Sequence, residues 1–230
     1  MSVHFDAIAD EYHQKAAGTQ QAVYDQISQW IDPLVSGKVV LDVGNGGKFA
    51  YDVALPSAVT ALDLSEKMLA KISNPRVIRL IGNALNMNGV ADSSVDFVIL
   101  GLVLHHIAGS TRRETLSMLR QVLTSARRVL RPGGAILVTE TVASPILSGL
   151  QRLAYPVSHA FLAPRVGMLY FFSQAELKDA IADVFGRVEL HQRTHRIAGW
   201  LDPFPGTFPG VLKVPAWTFP MQFRSYLAHV

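Results

Sequence analysis

The 230-residue chain is 49% hydrophobic, enough to bury roughly 70% of its unfolded surface, so a single domain over residues 1–230 is expected rather than two. It contains no cysteine, which excludes disulfides, thiolate metal sites and thiol nucleophiles. The formal net charge of +3 is scattered in pairs such as Arg112-Arg113 and Arg127-Arg128, which suit helix surfaces and form no nucleic-acid arm.

The opening stretch, MSVHFDAIADEYHQK, places Asp6, Asp10 and Glu11 where a signal peptide needs apolar residues. The longest stretch free of Asp, Glu, Lys and Arg runs from Phe97 to Thr111, short of the ~18 residues of a spanning helix. A cytoplasmic chain without an integral membrane segment is therefore expected. Its mildly positive mean hydropathy leaves room for peripheral membrane contact or an apolar substrate.

KVVLDV, residues 38–43, predicts a first strand, and three glycines, Gly44, Gly46 and Gly47, turn the chain behind it. KFAYDVAL reads as a brief helix stopped by Pro56. AVTALDLS predicts a second strand ending in Asp63, SEKMLAKI a helix, RVIRLIGNA a third strand and SVDFVILG a fourth. A helix from about Thr111 to Leu130 follows, closed by RPGG, and AILVTET forms the fifth strand. Continuous apolar strands alternating with helices predict an α/β fold, a Rossmann-like, mostly parallel sheet of seven strands with helices on both faces.

Residues 142–172 break this rhythm with Pro145, Pro156 and Pro164 and read as a helical cover over the sheet edge. Ser173 and Glu176 stand in capping-box spacing before a further helix, and RVELHQRTHRI predicts another strand. Between Trp200 and Pro220 lie five prolines, three phenylalanines and two tryptophans, too apolar for a solvated linker and irregular for a helix or strand. MQFRSYLAHV is expected to close the sheet as a last, antiparallel strand.

In an open α/β sheet, ligands sit at the carboxyl ends of the strands near the switch point, which puts the glycine turn in the site. Asp63 stands about 20 residues after Gly44, the spacing at which a carboxylate grips ribose hydroxyls. The dinucleotide pattern G-x-G-x-x-G fails at Phe49, and no Ser or Thr follows Lys48 as a P-loop requires. A nucleoside ligand is the remaining reading.

VVLDVGNGG, VTALDLSEKML, IGNALNM, SVDFVILGLVLHHI and ARRVLRPGGAILVTE resemble, in order and spacing, the motifs of class I S-adenosylmethionine-dependent methyltransferases of the small-molecule type. The opening FDAIADEY is similar to that group's amino-terminal helix. The resemblance covers roughly residues 5 to 140, with a weaker echo from Ser173 to Ile197. It implies S-adenosylmethionine as cofactor and S-adenosylhomocysteine as product, with no metal. By position, Asp42 would steady the glycine turn and the methionine ammonium, with Gly44 and Gly46 lying against the cofactor. Asp63 would take the ribose, Leu64 and Met68 would flank the adenine, and Asn83 with Ala84 would meet its edge. Gly101 and Leu102 would line the methionine end, and Tyr12 would close over the cofactor from the amino-terminal helix.

Three positions depart from the family: Asn45, Lys48 and Asn83. Asn83 keeps an acceptor and gains a donor. Lys48 either opens toward solvent or brings its ammonium to the cofactor carboxylate.

A base is needed only where the acceptor must lose a proton. The candidates are His105 and His106 after the fourth strand, either of which could instead cap the loop, with His159 and His195 behind them. Glu140 could orient an acceptor. Phe161, Tyr170, Phe171, Phe172, Trp200, Phe204, Phe208 and Trp217 could wall an apolar pocket or belong to the core. Methyl transfer to a small, mainly apolar molecule is the expected activity, in a monomer or homodimer without a nucleic-acid partner. Two rivals are a fold relative catalysing cyclisation and a non-catalytic partner subunit.

Overall fold

The computed structural model describes residues 17–166, 169–186, 191–195, 200–201, 214–215 and 221–230, and of these the side chains of 17–23, 156–166, 191–195, 200–201 and 214–215 lie outside the description. Helix α1 (Ala17–Val35) leads into β1 (Val39–Val43), followed by β2 (Ala58–Asp63), α2 (Glu66–Ala70), β3 (Val77–Ile81) and β4 (Val95–Gly101). A 3-10 turn at Leu104–His106 precedes α3 (Arg112–Val129), β5 (Leu130–Ala143), α4 (Pro145–Val166) and α5 (Gln174–Phe185). The chain ends with β6 (His191–His195), a two-residue pair, β7 (Trp200–Leu201) and β8 (Val214–Pro215), and β9 (Met221–His229).

The main sheet has seven strands in the order β3-β2-β1-β4-β5-β9-β6. The first five are parallel, and β9 runs antiparallel to both β5 and β6. Helices cover both faces, as expected of strands apolar on both sides. On one face Ile27, Ile31 and Val35, four residues apart along α1, pack with Leu69 and Ile72. On the other, Leu119, Leu123 and Ala126 of α3 meet Leu177, Ala180 and Ile181 of α5.

Three expectations are corrected. Residues 48–55 form no helix. Asp52 accepts from Ala54 N, and Asp52 N donates to Asp32, so side-chain bonds hold an irregular loop in place of a helical turn. Phe49 and Tyr51, two residues apart, pack edge to face at 5.6 Å. RPGG does not separate α3 from the fifth strand: β5 begins at Leu130, and the glycines form a register shift opposite Val95 and Phe97, with Gly133 at φ +76°. The last strand is antiparallel but does not close the sheet. β9 lies inside, with β6 at the edge.

The 142–172 cover is a single helix, α4, followed by a return to the sheet in which Ala143 N donates to Phe172 O at 2.9 Å. That return is fastened by Glu176. Its carboxylate accepts from Arg112 at 2.8 Å, Tyr170 Oη at 2.9 Å and Ser173 N at 2.8 Å, while Ser173 caps α5 in the expected box. Burial alone would raise the Glu176 carboxyl, but the bonds from Ser173, Arg112 and Tyr170 together hold it below the ordinary glutamate value.

Because its native value is depressed, Glu176 contributes stability that is present above the unfolded value of about 4.3 and lost as pH falls through the native one. Denaturant midpoints measured from pH 6 down to pH 3 should show Glu176→Gln less stable than the parent at the upper end, with the gap closing at the lower end. A gap independent of pH would contradict this account.

Candidate functional site

The connections after β1 and β4 diverge at the carboxyl ends of adjacent parallel strands, and a cleft opens there, the place at which open α/β sheets bind ligands. Gly44, Gly46, Asp63, Leu64, Met68, Asn83, Ala84, Gly101 and Leu102 line it, together with His106. Tyr12 lies outside the described residues.

Gly44 has φ +71°, and any Cβ there would collide with the Val103 side chain. A glycine is thus required by both conformation and space. Gly101 differs, since a Cβ at that position would meet nothing within 4 Å and would enter the cleft. Leu102 is held at φ +54° by its N–H bond to Thr139 O at 2.8 Å, an arrangement costing about 1–3 kcal/mol for a non-glycine residue.

Asp42 does not line the cleft; it is buried at the end of β1. Asn45 Nδ2 donates to its carboxylate at 2.8 Å and to Lys48 O at 3.1 Å, while Asn45 Oδ1 accepts from Gly47 N at 2.8 Å. The departure at Asn45 therefore organises the glycine turn. Burial pushes the Asp42 carboxyl up to about 7, with the Asn45 bond opposing the rise and the charge of Asp63 adding to it. Tyr51 Oη lies beside Asp42 without closing a well-formed hydrogen bond, and its burial pushes the phenol up. Lys48 lines the cleft.

Asp63 Oδ1 accepts from Ser65 N at 2.8 Å, and Ser65 caps α2. Asn83 Oδ1 accepts from Leu85 N at 2.9 Å, so its acceptor is engaged locally.

His105 and Glu140 do not line the cleft but are joined to each other. Glu140 is fully buried, accepts from Leu104 N at 2.6 Å and Thr141 N at 3.1 Å, and lies 2.8 Å from His105 Nδ1. Phe171 stacks on His105 at 5.6 Å, and the His105 and His106 rings are 4.1 Å apart. Tyr170 and Phe172 are buried core. The side chains of His159, His195, Phe161, Trp200, Phe204, Phe208 and Trp217 lie outside the described residues.

Tyr24, Val103 and Ile107 also line the cleft and were not nominated from the sequence. Tyr24 sits three residues before Ile27, on the buried face of α1, and that spacing was the available signal. Val103 and Ile107 bracket the histidine pair.

Residues 41–138 match the methyltransferase domain family. Over 143 residues the chain is 33% identical to a thiol S-methyltransferase, TMT1A, of Homo sapiens, covering 58% of this chain and 54% of that protein. Over 163 residues it is 25% identical to a tRNA (carboxymethyluridine(34)-5-O)-methyltransferase of Arabidopsis thaliana, covering 71% of this chain and 38% of that one. The chain spans about half, or less, of the length of these curated relatives. Its fold is similar to that of 1,6-didemethyltoxoflavin-N1-methyltransferase of Burkholderia thailandensis, solved with 1,6-didemethyltoxoflavin and S-adenosylhomocysteine. The TM-score is 0.63 at 16% identity, over 99% of this chain and 87% of that one.

A carboxyl raised on folding binds more protons in the native than in the unfolded state, so its contribution to stability falls as pH rises from its model value of 3.8 to about 7. Thermal melts of the protein without ligand should show lower stability at pH 8 than at pH 5, and Asp42→Asn should flatten that slope. An unchanged slope in the variant would exclude Asp42 as its source.

Proposed function

We propose that this chain, whose residues 41–138 match the methyltransferase domain family, is a class I S-adenosylmethionine-dependent methyltransferase that transfers the methyl group to a small, mainly apolar acceptor. The observation that carries this reading is the cleft itself, floored by Gly44 and Gly101 and bounded by Asp63, Leu64 and Met68. Its composition fits a nucleoside: a carboxylate for the ribose, apolar side chains for both faces of a base, and bare backbone where the ligand comes closest.

In this reading Asp63 accepts from the ribose hydroxyls, with one oxygen already oriented by Ser65 N. Leu64 and Met68 flank the adenine, while the Asn83 amide and Ala84 N meet its edge. Asp42 holds the turn that receives the methionine ammonium. Lys48, which lines the cleft, is the cation for the cofactor carboxylate, a role that favours the second of its two sequence readings. S-adenosylmethionine supplies a methyl group already activated on a sulfonium, so alignment does most of the work and is worth up to roughly 7–11 kcal/mol in ideal cases.

Where the acceptor must lose a proton, His106, which lines the cleft, is the base, and the Glu140–His105 pair stands behind it with the two imidazole rings 4.1 Å apart. Glu140 receives the Nδ1–H of His105, which fixes that ring's tautomer and leaves its Nε2 with the lone pair. Phe171 holds the ring plane. Glu140 thus acts through His105 as a positioning residue. The apolar acceptor is supported by Val103, Ile107 and Leu85 in the cleft wall and by the absence of any acidic residue between Glu140 and Glu176.

Calorimetric titration with S-adenosylmethionine and S-adenosylhomocysteine should give micromolar binding. Asp63→Ala should weaken it at least tenfold, as expected from losing a charge-assisted bond of roughly 1.5–3 kcal/mol. Absence of binding at millimolar cofactor would overturn the reading for this chain. With an apolar thiol or phenol as acceptor, His106→Gln should lower turnover by roughly a hundredfold or more. Unchanged turnover would remove His106 as the base.

A further inference from the structure

Helix α4 carries an apolar stripe that nothing in the described structure covers. Ile146 is 79% exposed, Leu150 59% and Leu153 82%. They stand at i, i+4 and i+7, one above another on a single helix face. The opposite side of the same helix is anchored, with Tyr155 Oη donating to Gly109 O at 2.8 Å. The stripe is therefore a fixed outward face.

The charge on the helix and in the groove beside it is mainly positive. No Asp or Glu stands between Glu140 and Glu176, whereas Arg152 and Arg165 do. Beside the first turns of α4 runs a groove lined by Arg152, Lys178 and Arg224, with Asp179 as its acid. The Glu176 carboxylate nearby is already committed to Arg112 and Arg152. An exposed apolar helix face with a basic groove at its flank and no acid of its own suits an anionic interface, where apolar burial and electrostatic attraction add, and no described helix is long and apolar enough to cross a membrane.

We infer that the outer face of α4 docks on an anionic lipid surface, with Ile146, Leu150 and Leu153 entering the headgroup boundary and Lys178 and Arg224 facing lipid phosphates. α4 leaves the sheet directly from the carboxyl end of β5, the end at which the cofactor cleft opens. Docking there presents the cleft to molecules dissolved in the bilayer. The purpose of the surface rests on the apolar acceptor proposed above; its geometry does not.

The test is co-sedimentation of the full chain with vesicles of phosphatidylcholine containing phosphatidylglycerol, and with vesicles of phosphatidylcholine alone. Binding to the anionic vesicles that weakens with added salt is expected. The triple variant Ile146→Gln, Leu150→Gln, Leu153→Gln should lose at least tenfold in partitioning, with Leu153→Gln alone losing part of it. Far-ultraviolet circular dichroism of the same samples reports whether each variant is folded. Cofactor titration separates the two proposals, since vesicle binding without cofactor binding removes the methyl-transfer reading and keeps the surface. No binding of the parent to anionic vesicles, or equal binding by the triple variant, overturns the inference. A concentration-dependent dimer that the triple variant abolishes, without vesicle binding, overturns it in favour of a second copy of the chain.

Discussion

A carboxylate that leaves water at the end of a central strand costs several kcal/mol unless it is protonated or hydrogen-bonded. Asp42 is in that position, paired in the sheet between Ala61 and Ile99, and its donor is Asn45 at 2.8 Å. Asn45 can reach it only if the chain reverses at once, and the reversal is what Gly44 and Gly47 permit at φ +71° and +88°. The same asparagine bonds Gly47 N and Lys48 O. One buried acid therefore dictates the course of the turn that floors the cleft, and with it where Lys48 stands.

The opposite wall is held from the next strand over. Leu102 is kept in a left-handed conformation by Thr139 O, and Glu140 grips Leu104 N and His105. These contacts run from β5 to the loop after β4, so the loop is braced by a strand that does not itself line the cleft. Gly44 packs against Val103 of that loop without room for a side chain. The two walls are thus set relative to each other by direct contact, which favours a cleft already formed before a ligand arrives.

Around this frame, polar networks fasten the parts that periodicity leaves undetermined. Glu176 gathers Arg112 from α3, Arg152 from α4, Tyr170 from the return segment and its own cap residue. A buried carboxylate shared among four partners ties the cover to the sheet in one register, since displacing any partner leaves a charge unsatisfied. The outward face of α4 is left apolar by the same fastening.

The alternation of apolar strands and helices, the glycine turn, Asp63 and the capping box were legible in the sequence because each reports a local requirement: burial on both faces, positive φ, carboxylate spacing, or an N-terminal cap. The loop at residues 48–55 was misread because its composition suits a helix, while contacts from Asp32 and Asp52 to the backbone decide otherwise. The place of β9 inside the sheet, the pairing of Glu140 with His105 across 35 residues and the arrival of Tyr24 in the cleft depend on which distant segments meet. No local pattern encodes that. Periodicity states which faces must be buried, whereas chain topology and packing determine what buries them, and at the cofactor end of this sheet that second step brings the residues together.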